Sequence, residues 1–265
     1  MAGSRVNHAA LAAWRRRRLR QLPRLDAHIV AIYRARNAKY VSRLLEPVLA
    51  VGWGVALWAL DEVVDDLAPH TVGAGRGERL ALLNRILELS DPGPGWLVVS
   101  DDDLIFTRGD VVDLVAICEL AGFGLAQPAH FVSPLLSHPI TGARPLSVAR
   151  MTTFVEIGPL FAVAPRWLPR LAPFPEDRGM GWGLELEWRA LLDDGCLFGI
   201  VDAVTVRHEG AIGSEYDAQL YSRSVKAELA ASGVQGWAEL QRILATWRPW
   251  QRVAPWVTAS GRCER

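Results

Sequence analysis

The feature that most constrains the fold is an apolar run that ends on three adjacent aspartates, W-L-V-V-S-D-D-D-L-I-F at residues 96–106. Residues 97–99 follow a Pro-Gly-Pro-Gly turn, and a short apolar run without alternation predicts a strand that is buried on both faces. In open α/β sheets, ligands bind in the crevice outside the carboxyl ends of such strands. The sequence therefore predicts an α/β fold with a site at three acids: Asp101, Asp102 and Asp103.

Three adjacent carboxylates repel one another, and solvent, hydrogen-bond donors or a divalent cation must offset that repulsion. One interpretation is a metal site. The alternative is an acidic turn that ends the strand and caps the helix after Thr107, and the triplet alone does not separate the two.

Composition and charge narrow the class of protein. The 265 residues are 50% hydrophobic, which is enough for one large α/β domain or two small ones. Residues 1–26 hold seven arginines and one aspartate, a charge of +6, so residues 27–265 carry −6 and the total is zero. An acidic body argues against a nucleic-acid partner, which requires a broad basic face.

Cysteines and apolar runs bear on the compartment. The three cysteines are too scattered for a disulfide framework or a zinc site and are interpreted as buried or incidental thiols: Cys118, Cys196 and Cys263. The longest apolar run, residues 48–60, is 13 residues, whereas a membrane-spanning helix needs about 20. We therefore expect a soluble, cytoplasmic protein.

Residues 8–24 combine leucines and a tryptophan with most of the arginines and can form a basic helix. Such a helix can lie on an anionic membrane surface, which would place the protein peripherally at the inner membrane face. The alternative is a solvated helix packed on the edge of the domain.

The next segment alternates strand, helix and strand, with strands predicted at residues 28–33 and 55–60 and a helix at residues 39–50. This βα pattern is typical of a mainly parallel sheet. In such a sheet the polar residues after the two strands would face the same crevice as the aspartate triplet: Arg34, Arg36, Asn37 and Asp61.

Residues 69–79 are glycine-rich and precede a predicted helix at residues 80–89. They match neither the dinucleotide fingerprint nor the P-loop, so an ordinary flexible loop is one interpretation. The other is a phosphate-binding loop, in which Arg76 and Arg79 would pair with a pyrophosphate.

Beyond the triplet we predict a helix at residues 109–120, a strand at 122–127 and a strand at 160–163. Residues 128–150 contain four prolines and predict an irregular loop. The loop histidines, His130 and His138, are interpreted as surface residues.

The run G-W-G-L-E-L-E places Trp182 between glycines and directly before two carboxylates, Glu185 and Glu187. An indole beside carboxylates suits a sugar, which stacks an apolar ring face and offers hydroxyls for hydrogen bonding. The alternative is a helix amino terminus, where the dipole favours acidic residues.

A β-rich segment at residues 197–207 is followed directly by His208, which is either an edge residue or an imidazole ligand for the cation near the aspartates. Residues 216–231 and 236–247 predict two helices that pack on the domain.

This order of features resembles the GT-A fold glycosyltransferases, and G-W-G-L-E-L-E is similar to the G-W-G-G-E-D segment of the β-1,4-galactosyltransferases. The resemblance covers about residues 28–210. It implies a Rossmann-like, mixed, mainly parallel sheet flanked by helices. We predict a basic helix or tail over residues 1–26, the GT-A-like catalytic domain over 27–210 and a helical extension over 211–265.

The resemblance also implies site residues. Asp101 and Asp103 would form the D-x-D that binds the metal and ribose of a nucleotide sugar, His208 would be a further metal ligand, and Asp61 would contact the base. The aspartate that serves as base in the galactosyltransferases falls on Leu186, so a base here must be Glu185 or Glu187. The candidate residues are the catalytic Glu185 and Glu187; the nucleotide-sugar-binding Arg34, Asp61, Arg76, Arg79, Asp101 and Asp102; the acceptor-binding Trp182 and Gly183; and the metal ligands Asp101, Asp103 and His208.

The resemblance implies transfer of a sugar from a nucleotide diphosphate to a hydroxyl of a sugar, a lipid-linked or a small-molecule acceptor, with Mn²⁺ or Mg²⁺. Two alternatives remain open. A non-catalytic sugar-nucleotide or protein-binding module would have the same fold. An aspartate-based phosphatase would use Asp101 as nucleophile and Asp103 as acid, but no Gly-Thr follows the triplet, and Lys39 and Lys226 are the only lysines.

Overall fold

The computed structural model of the chain describes residues 25–132, 136–210 and 218–257. Most of the basic amino-terminal segment and Cys263 lie outside these ranges. The described residues form one ten-stranded sheet with helices packed against it. The strands are β1 (Ala27–Tyr33), β2 (Gly54–Ala59), β3 (Thr71–Ala74), β4 (Trp96–Ser100), β5 (Leu104–Arg108), β6 (Leu125–His130), β7 (Ala149–Thr152), β8 (Leu160–Val163), β9 (Phe198–His208) and β10 (Ile243–Trp247).

The helices are α1 (Ala38–Val51), α2 (Arg79–Leu89), α3 (Val111–Ala121), α4 (Leu168–Leu171), α5 (Leu184–Trp188), α6 (Ala190–Asp193), α7 (Ala218–Ala231) and α8 (Trp237–Leu240). Helix α1 buries residues at helical spacing, which explains its packing on the sheet: Ala38, Val41, Leu44, Leu45 and Val48. Helix α3 begins with a reciprocal capping box between Asp110 and Asp113 and ends at Gly122, whose φ of 67° lies in the left-handed region.

The sheet is mixed, with the order β10-β7-β9-β6-β8-β4-β1-β2-β3 and with β5 paired to β9. Strands β3, β2, β1 and β4 run parallel to one another. Strand β8 is antiparallel to both β4 and β6, so β6 and its parallel partner β9 run in the same direction as β4. Strand β4 is buried along its whole length, as predicted from its apolar run.

Four strands were not predicted. Strand β3 lies in the segment interpreted as a flexible loop, β7 ends the segment interpreted as irregular, and β5 follows the aspartates directly. The helix predicted over residues 236–247 is wrong beyond Leu240, because residues 243–247 form β10, which pairs antiparallel with β7. The strand predicted at residues 122–127 lies slightly later, at residues 125–130. No helix in the described ranges has the length and apolar character needed to cross a bilayer.

Candidate active site

The candidate site lies at one edge of the sheet, where the carboxyl ends of β1, β2, β4, β6 and β9 meet. The parallel registers pair Ala31 of β1 with Leu57 of β2 and with Ser100 of β4, so these strands end side by side. Strand β8 runs the opposite way and begins at the same edge, where Leu160 pairs with Ser100. The residues that follow the parallel strands and those that precede β8 are therefore brought together.

The three adjacent aspartates each have a different positively charged or imidazole partner. Asp101 binds Arg79, Asp102 binds Arg34, and Asp103 contacts His208. This arrangement offsets the repulsion between the carboxylates, because each one faces a separate partner.

Asp103 and His208 meet because β5 pairs with the end of β9. Leu104 pairs with His208 in this antiparallel ladder, and the Glu209 amide donates to the Asp103 carbonyl at 2.8 Å. His208 Nε2 lies 2.7 Å from Asp103 Oδ1. A Cβ added at Gly210 would lie 2.1 Å from Asp103 Oδ2, so glycine leaves this carboxylate its space.

Each member of this pair shifts the pKa of the other. Burial alone would raise the pKa of Asp103, but the hydrogen bond and charge of His208 outweigh it, and the pKa is lowered. Burial would lower the pKa of His208, but the hydrogen bond to Asp103 and the charges of the aspartates raise it. The pair therefore favours a carboxylate beside an imidazolium when no cation is bound.

Asp101 and Asp102 fix two arginines at the same edge. Arg79 donates through Nε and Nη2 to Asp101 Oδ1 at 3.1 and 2.9 Å and also through Nη2 to the Ile157 carbonyl at 3.3 Å. Asp102 accepts from the backbone amide of Arg34 at 2.8 Å and from its Nη1 at 3.1 Å. Burial raises the pKa of Asp102 in spite of these donors.

Two further predicted residues lie at the surface. Asp61 is exposed, and its Oδ1 accepts from the amides of Ala35 and Glu62 at 2.9 and 2.8 Å. The Ala35 hydrogen bond, followed by that of Glu62, lowers the pKa of Asp61. Asp61 thus ties the end of β2 to the residues after β1. The side chain of Arg76 is exposed.

The Gly-Trp-Gly loop packs against the carboxyl-terminal helices. Trp182 is partly buried against a small apolar cluster that includes Val225, Leu229 and Leu240. Gly183 has a φ of 91°, and a Cβ there would also approach the Glu228 carboxylate. The Trp182 indole thus has apolar neighbours within the chain, and its contact with an acceptor sugar stays a prediction.

The two carboxylates after this loop have different surroundings. Glu185 is buried, and its two oxygens accept from the amides of Ile157 and Gly183 at 3.1 and 3.2 Å. Burial raises the pKa of Glu185. Glu187 is exposed and forms an ion pair with Arg178. Glu185 therefore links the segment before β8 to the Gly-Trp-Gly loop, while Glu187 lies at the surface.

Comparisons with known proteins bear on the fold. No protein-family model matches the sequence, and no curated protein matches it significantly. The structure of GalNAc-T7 with UDP, GalNAc and Mn²⁺ matches with a TM-score of 0.52 at 12% identity, over 76% of this chain and 48% of that chain. S. aureus TarS 1-349 in complex with UDP-GlcNAc matches with a TM-score of 0.50 at 12% identity, over 77% of this chain and 66% of that chain. The structure of glucosyl-3-phosphoglycerate synthase from Mycobacterium tuberculosis in complex with Mn²⁺, UDP and phosphoglyceric acid matches with a TM-score of 0.50 at 16% identity. The match covers 90% of this chain and 89% of that chain.

The chain has the GT-A fold. It spans about half the length of the GalNAc-T7 chain and 66% of the TarS chain. In the sheet of this chain β8 and β6 lie between β4 and β9, and it is the pairing of β5 with β9 that brings Asp103 next to His208.

The side chains at this edge of the GT-A sheet supply part of the ligand set that a divalent ion needs. Among the described residues, no group of three or more histidine, cysteine, aspartate or glutamate side chains is arranged to hold a metal. Asp101 is bound to Arg79 and Asp102 to Arg34, which leaves one carboxylate and one imidazole, Asp103 and His208. Carboxylate and imidazole are ligands that suit Mn²⁺. The pair fits such an ion if a bound diphosphate supplies further oxygen ligands.

The sequence interpretation missed one acidic residue of this site, Glu156. It lies three residues before the Pro159 carbonyl, which accepts from the Asp101 amide at 2.8 Å. His130, which was interpreted as a surface residue, is mostly buried, with its Nδ1 at 3.8 Å from Glu156 Oε2. An acid inside the apolar run F-V-E-I-G-P-L-F was the available signal.

Proposed function

We propose that this chain is a glycosyltransferase that moves a sugar from a nucleotide diphosphate donor to an acceptor hydroxyl with the help of Mn²⁺ or Mg²⁺. The observation that carries the proposal is the Asp103–His208 pair at the carboxyl edge of a GT-A sheet. The fold alone does not establish the activity, because one fold can carry unrelated functions. The fold does not require this pair, so the pair is evidence at the level of the site.

In this proposal Asp103 and His208 hold the metal. When bound, the ion supplies a Lewis acid that neutralises negative charge on the departing diphosphate. Arg34 and Arg79 add positive charge at the same edge, and Asp102 and Asp101 hold their guanidinium groups in place. Guanidinium groups oriented in this way are suited to phosphate oxygens.

The transfer itself breaks the bond between the anomeric carbon and the diphosphate oxygen and forms a bond from that carbon to the acceptor oxygen. The acceptor proton passes to a carboxylate of the site or to the departing diphosphate. Sugar transfer of this kind passes through an oxocarbenium-like state, so positive charge develops on the ring. At this edge the Asp101 carboxylate, paired with Arg79, is an acidic group available near that charge.

Donor binding also involves residues that the chain holds at this edge. Asp61 is proposed to contact the base, because it lies after β2 and is anchored to the residues after β1. Two of the GT-A neighbours were solved with UDP itself and a third with UDP-GlcNAc, which makes uridine nucleotides the first donors to test.

The first experiment is a thermal-shift measurement with UDP, GDP and TDP, each with and without Mn²⁺. A ligand that binds only the folded state raises the melting temperature according to its concentration and affinity. A rise that needs both a nucleotide and the metal supports the proposal. The absence of a rise with any pair favours a protein-binding module on the same fold.

The second experiment separates an enzyme from an inert binder. Many transferases slowly hydrolyse their donor, so release of free sugar from UDP-sugars is measured for the wild-type protein and for Asp103→Asn. Asp194→Asn is the matched control, because Asp194 is half-exposed and pairs with Arg170. We expect hydrolysis to fall at least 100-fold in Asp103→Asn and to be unchanged in the control. Nucleotide-sugar binding without hydrolysis by the wild type would indicate the non-catalytic module.

A further inference from the structure

The segment before β8 contains a buried carboxyl group, that of Glu156, whose Oε2 accepts no hydrogen bond from any residue that the structure describes. The backbone of Glu156 is fixed, because its amide donates to Gln127 Oε1 at 2.6 Å. Its side chain is only 15% exposed, and Oε2 is buried and makes no hydrogen bond within the part of the chain that the structure describes. A buried polar atom of this kind costs stability and requires an explanation.

His130 does not supply the missing partner. Its Nδ1 lies 3.8 Å from Glu156 Oε2, which is beyond hydrogen-bond distance, and is within 3.3 Å of Thr141 Oγ1. Burial, followed by the nearby charges of His208 and His138, lowers the pKa of His130 to about 4. The imidazole is therefore neutral near pH 7 and does not form an ion pair with the carboxyl group.

The groups around Glu156 include residues of the edge that is proposed to bind the nucleotide sugar. Burial, and then the negative charges of Glu185 and Asp101, raise the pKa of Glu156 well above its ordinary value. The next residue, Ile157, accepts from Arg79 through its carbonyl and donates through its amide to Glu185. The raised pKa favours the protonated carboxyl group, and in that form the group can both donate to and accept from a hydroxyl.

We propose that Glu156 hydrogen-bonds a hydroxyl of the sugar carried by the nucleotide donor and thereby determines which sugar the site accepts. This assignment rests on the proposed function and gives it a specificity-determining residue. Glu185 and Glu187 are less suited to this role. Both Glu185 oxygens already accept backbone amides, and Glu187 pairs with Arg178 at the surface. A site built to hydrogen-bond a hydroxyl discriminates strongly against a sugar that lacks it, because its buried group is then left unpaired.

The test compares binding of UDP with binding of UDP-glucose, UDP-galactose and UDP-GlcNAc by titration calorimetry in Mn²⁺. The variants are Glu156→Leu, which removes the polar group, and Glu156→Gln, which keeps a donor and an acceptor. Glu88→Gln is the control, because Glu88 is exposed on α2 and pairs with Arg85. We expect Glu156→Leu to bind UDP as the wild type does. The ratio of its Kd for UDP to its Kd for the preferred UDP-sugar should be at least tenfold smaller than in the wild type. Glu156→Gln is expected to lose less.

Three results would overturn the assignment. Glu156→Leu could retain the wild-type preference among the three UDP-sugars. It could weaken UDP and UDP-sugar equally, which would show an effect on the whole site. It could also leave donor binding intact and raise only the KM of an acceptor, which would place the hydroxyl on the acceptor. Binding by the wild-type protein tests the proposed function separately from the variants. If the wild type binds none of these nucleotides, the proposed function fails as well.

A ligand-free measurement guards against a folding defect. If Glu156 is present for its ligand, replacing a buried carboxyl group that lacks a partner should not destabilise the fold. We expect the melting temperature of Glu156→Leu to be equal to or a few degrees above that of the wild type. A fall of more than about 5 °C would assign the carboxyl group a structural role and contradict the proposal.

Discussion

His208 Nε2 lies 2.7 Å from Asp103 Oδ1, although the two residues are 105 positions apart. The contact is produced by β5, which turns back from the aspartates and pairs with the last residues of β9. The adjacent acids point to other partners, Arg79 and Arg34. Of the three aspartates, Asp103 is therefore the one that shares a side-chain contact with an imidazole, and the metal proposal depends on this pair.

A fully buried ion pair stabilises the loop beside His130. Arg150 binds Asp202 at 2.8 and 2.9 Å, both side chains are 0% exposed, and Arg150 also donates to the carbonyls of Ile140 and Gly142. Arg150→Met leaves the Asp202 carboxylate buried without its cation. We expect the free energy of unfolding, measured by urea denaturation, to fall by about 3–5 kcal/mol.

The control for that variant is Arg85→Met, which removes an exposed partner of Glu88 and should change stability little. The double variant Arg150→Met/Asp202→Leu should be more stable than Arg150→Met alone, because it also removes the unpaired charge. A double variant that is less stable than Arg150→Met would contradict this explanation.

Acid should destabilise the fold through His138. Its ring packs on Phe154 and Trp237 at centroid distances of 4.7 and 5.4 Å, and burial lowers its pKa from 6.5 to about 4. Between these values the unfolded chain binds a proton that the folded chain does not, so stability falls as the pH falls from about 6.5 to 4. The slope for one such histidine is up to about 1.4 kcal/mol per pH unit.

The measurement is urea unfolding at several pH values for the wild type and for His138→Asn, which keeps a polar group near Gln241. The variant should lose less stability than the wild type over this range. Because the pKa of His130 is also lowered, part of the dependence of stability on pH should remain in the variant. Identical slopes for the two proteins would show that His138 is not responsible.

The described cysteines should be unreactive in the folded protein. Cys118 and Cys196 are buried free thiols; burial raises the pKa of Cys196 to about 12 and also raises that of Cys118. Because the thiolate is the reactive form, a thiol reagent at pH 8 should label neither residue. In Cys263→Ser we expect no rapid labelling before denaturation and two thiols after it. Rapid labelling of the native variant would contradict the assigned burial.

Glu185 is expected to position the site and not to transfer protons. Its oxygens accept the amides of Ile157 and Gly183, and a glutamine at this position can accept only one of them. Glu185→Gln should therefore lower the free energy of unfolding by about 1–3 kcal/mol. Glu187→Gln, at the surface, should change it little. A Glu185→Gln protein as stable as the wild type, with its binding intact and its turnover lost, would instead make Glu185 a catalytic base.

Sequence patterns predicted the central part of the fold because its strands and helices are strongly apolar. The buried run before the aspartates and the βα alternation around α1 are examples, and the resemblance to the GT-A glycosyltransferases gave the fold that the solved structures match. Strand β10 was misread as a helix because Leu240, Ile243, Leu244 and Trp247 have helical spacing. Pairing with β7 determines its structure, and a pattern within one segment does not report that pairing.

The site was only partly predictable for a similar reason. Residues directly after strands could be placed at one edge from the parallel order, which brought Arg34 and the aspartates together. Glu156 lies before a strand that runs the opposite way, so its place at that edge depends on the antiparallel direction of β8. The partners of Glu185 and Glu187 are set by tertiary contacts and left no signal in the spacing of the residues.

The most direct test of the account is calorimetric titration of UDP into the protein with Mn²⁺, with Mg²⁺ and with EDTA, for the wild type, Asp103→Asn, His208→Ala and the control Asp194→Asn. The account predicts binding by the wild type and by Asp194→Asn that requires the metal, and a loss of at least tenfold in affinity in each of the other two variants. UDP binding that is equally tight in EDTA, or unchanged in Asp103→Asn and His208→Ala, would contradict it.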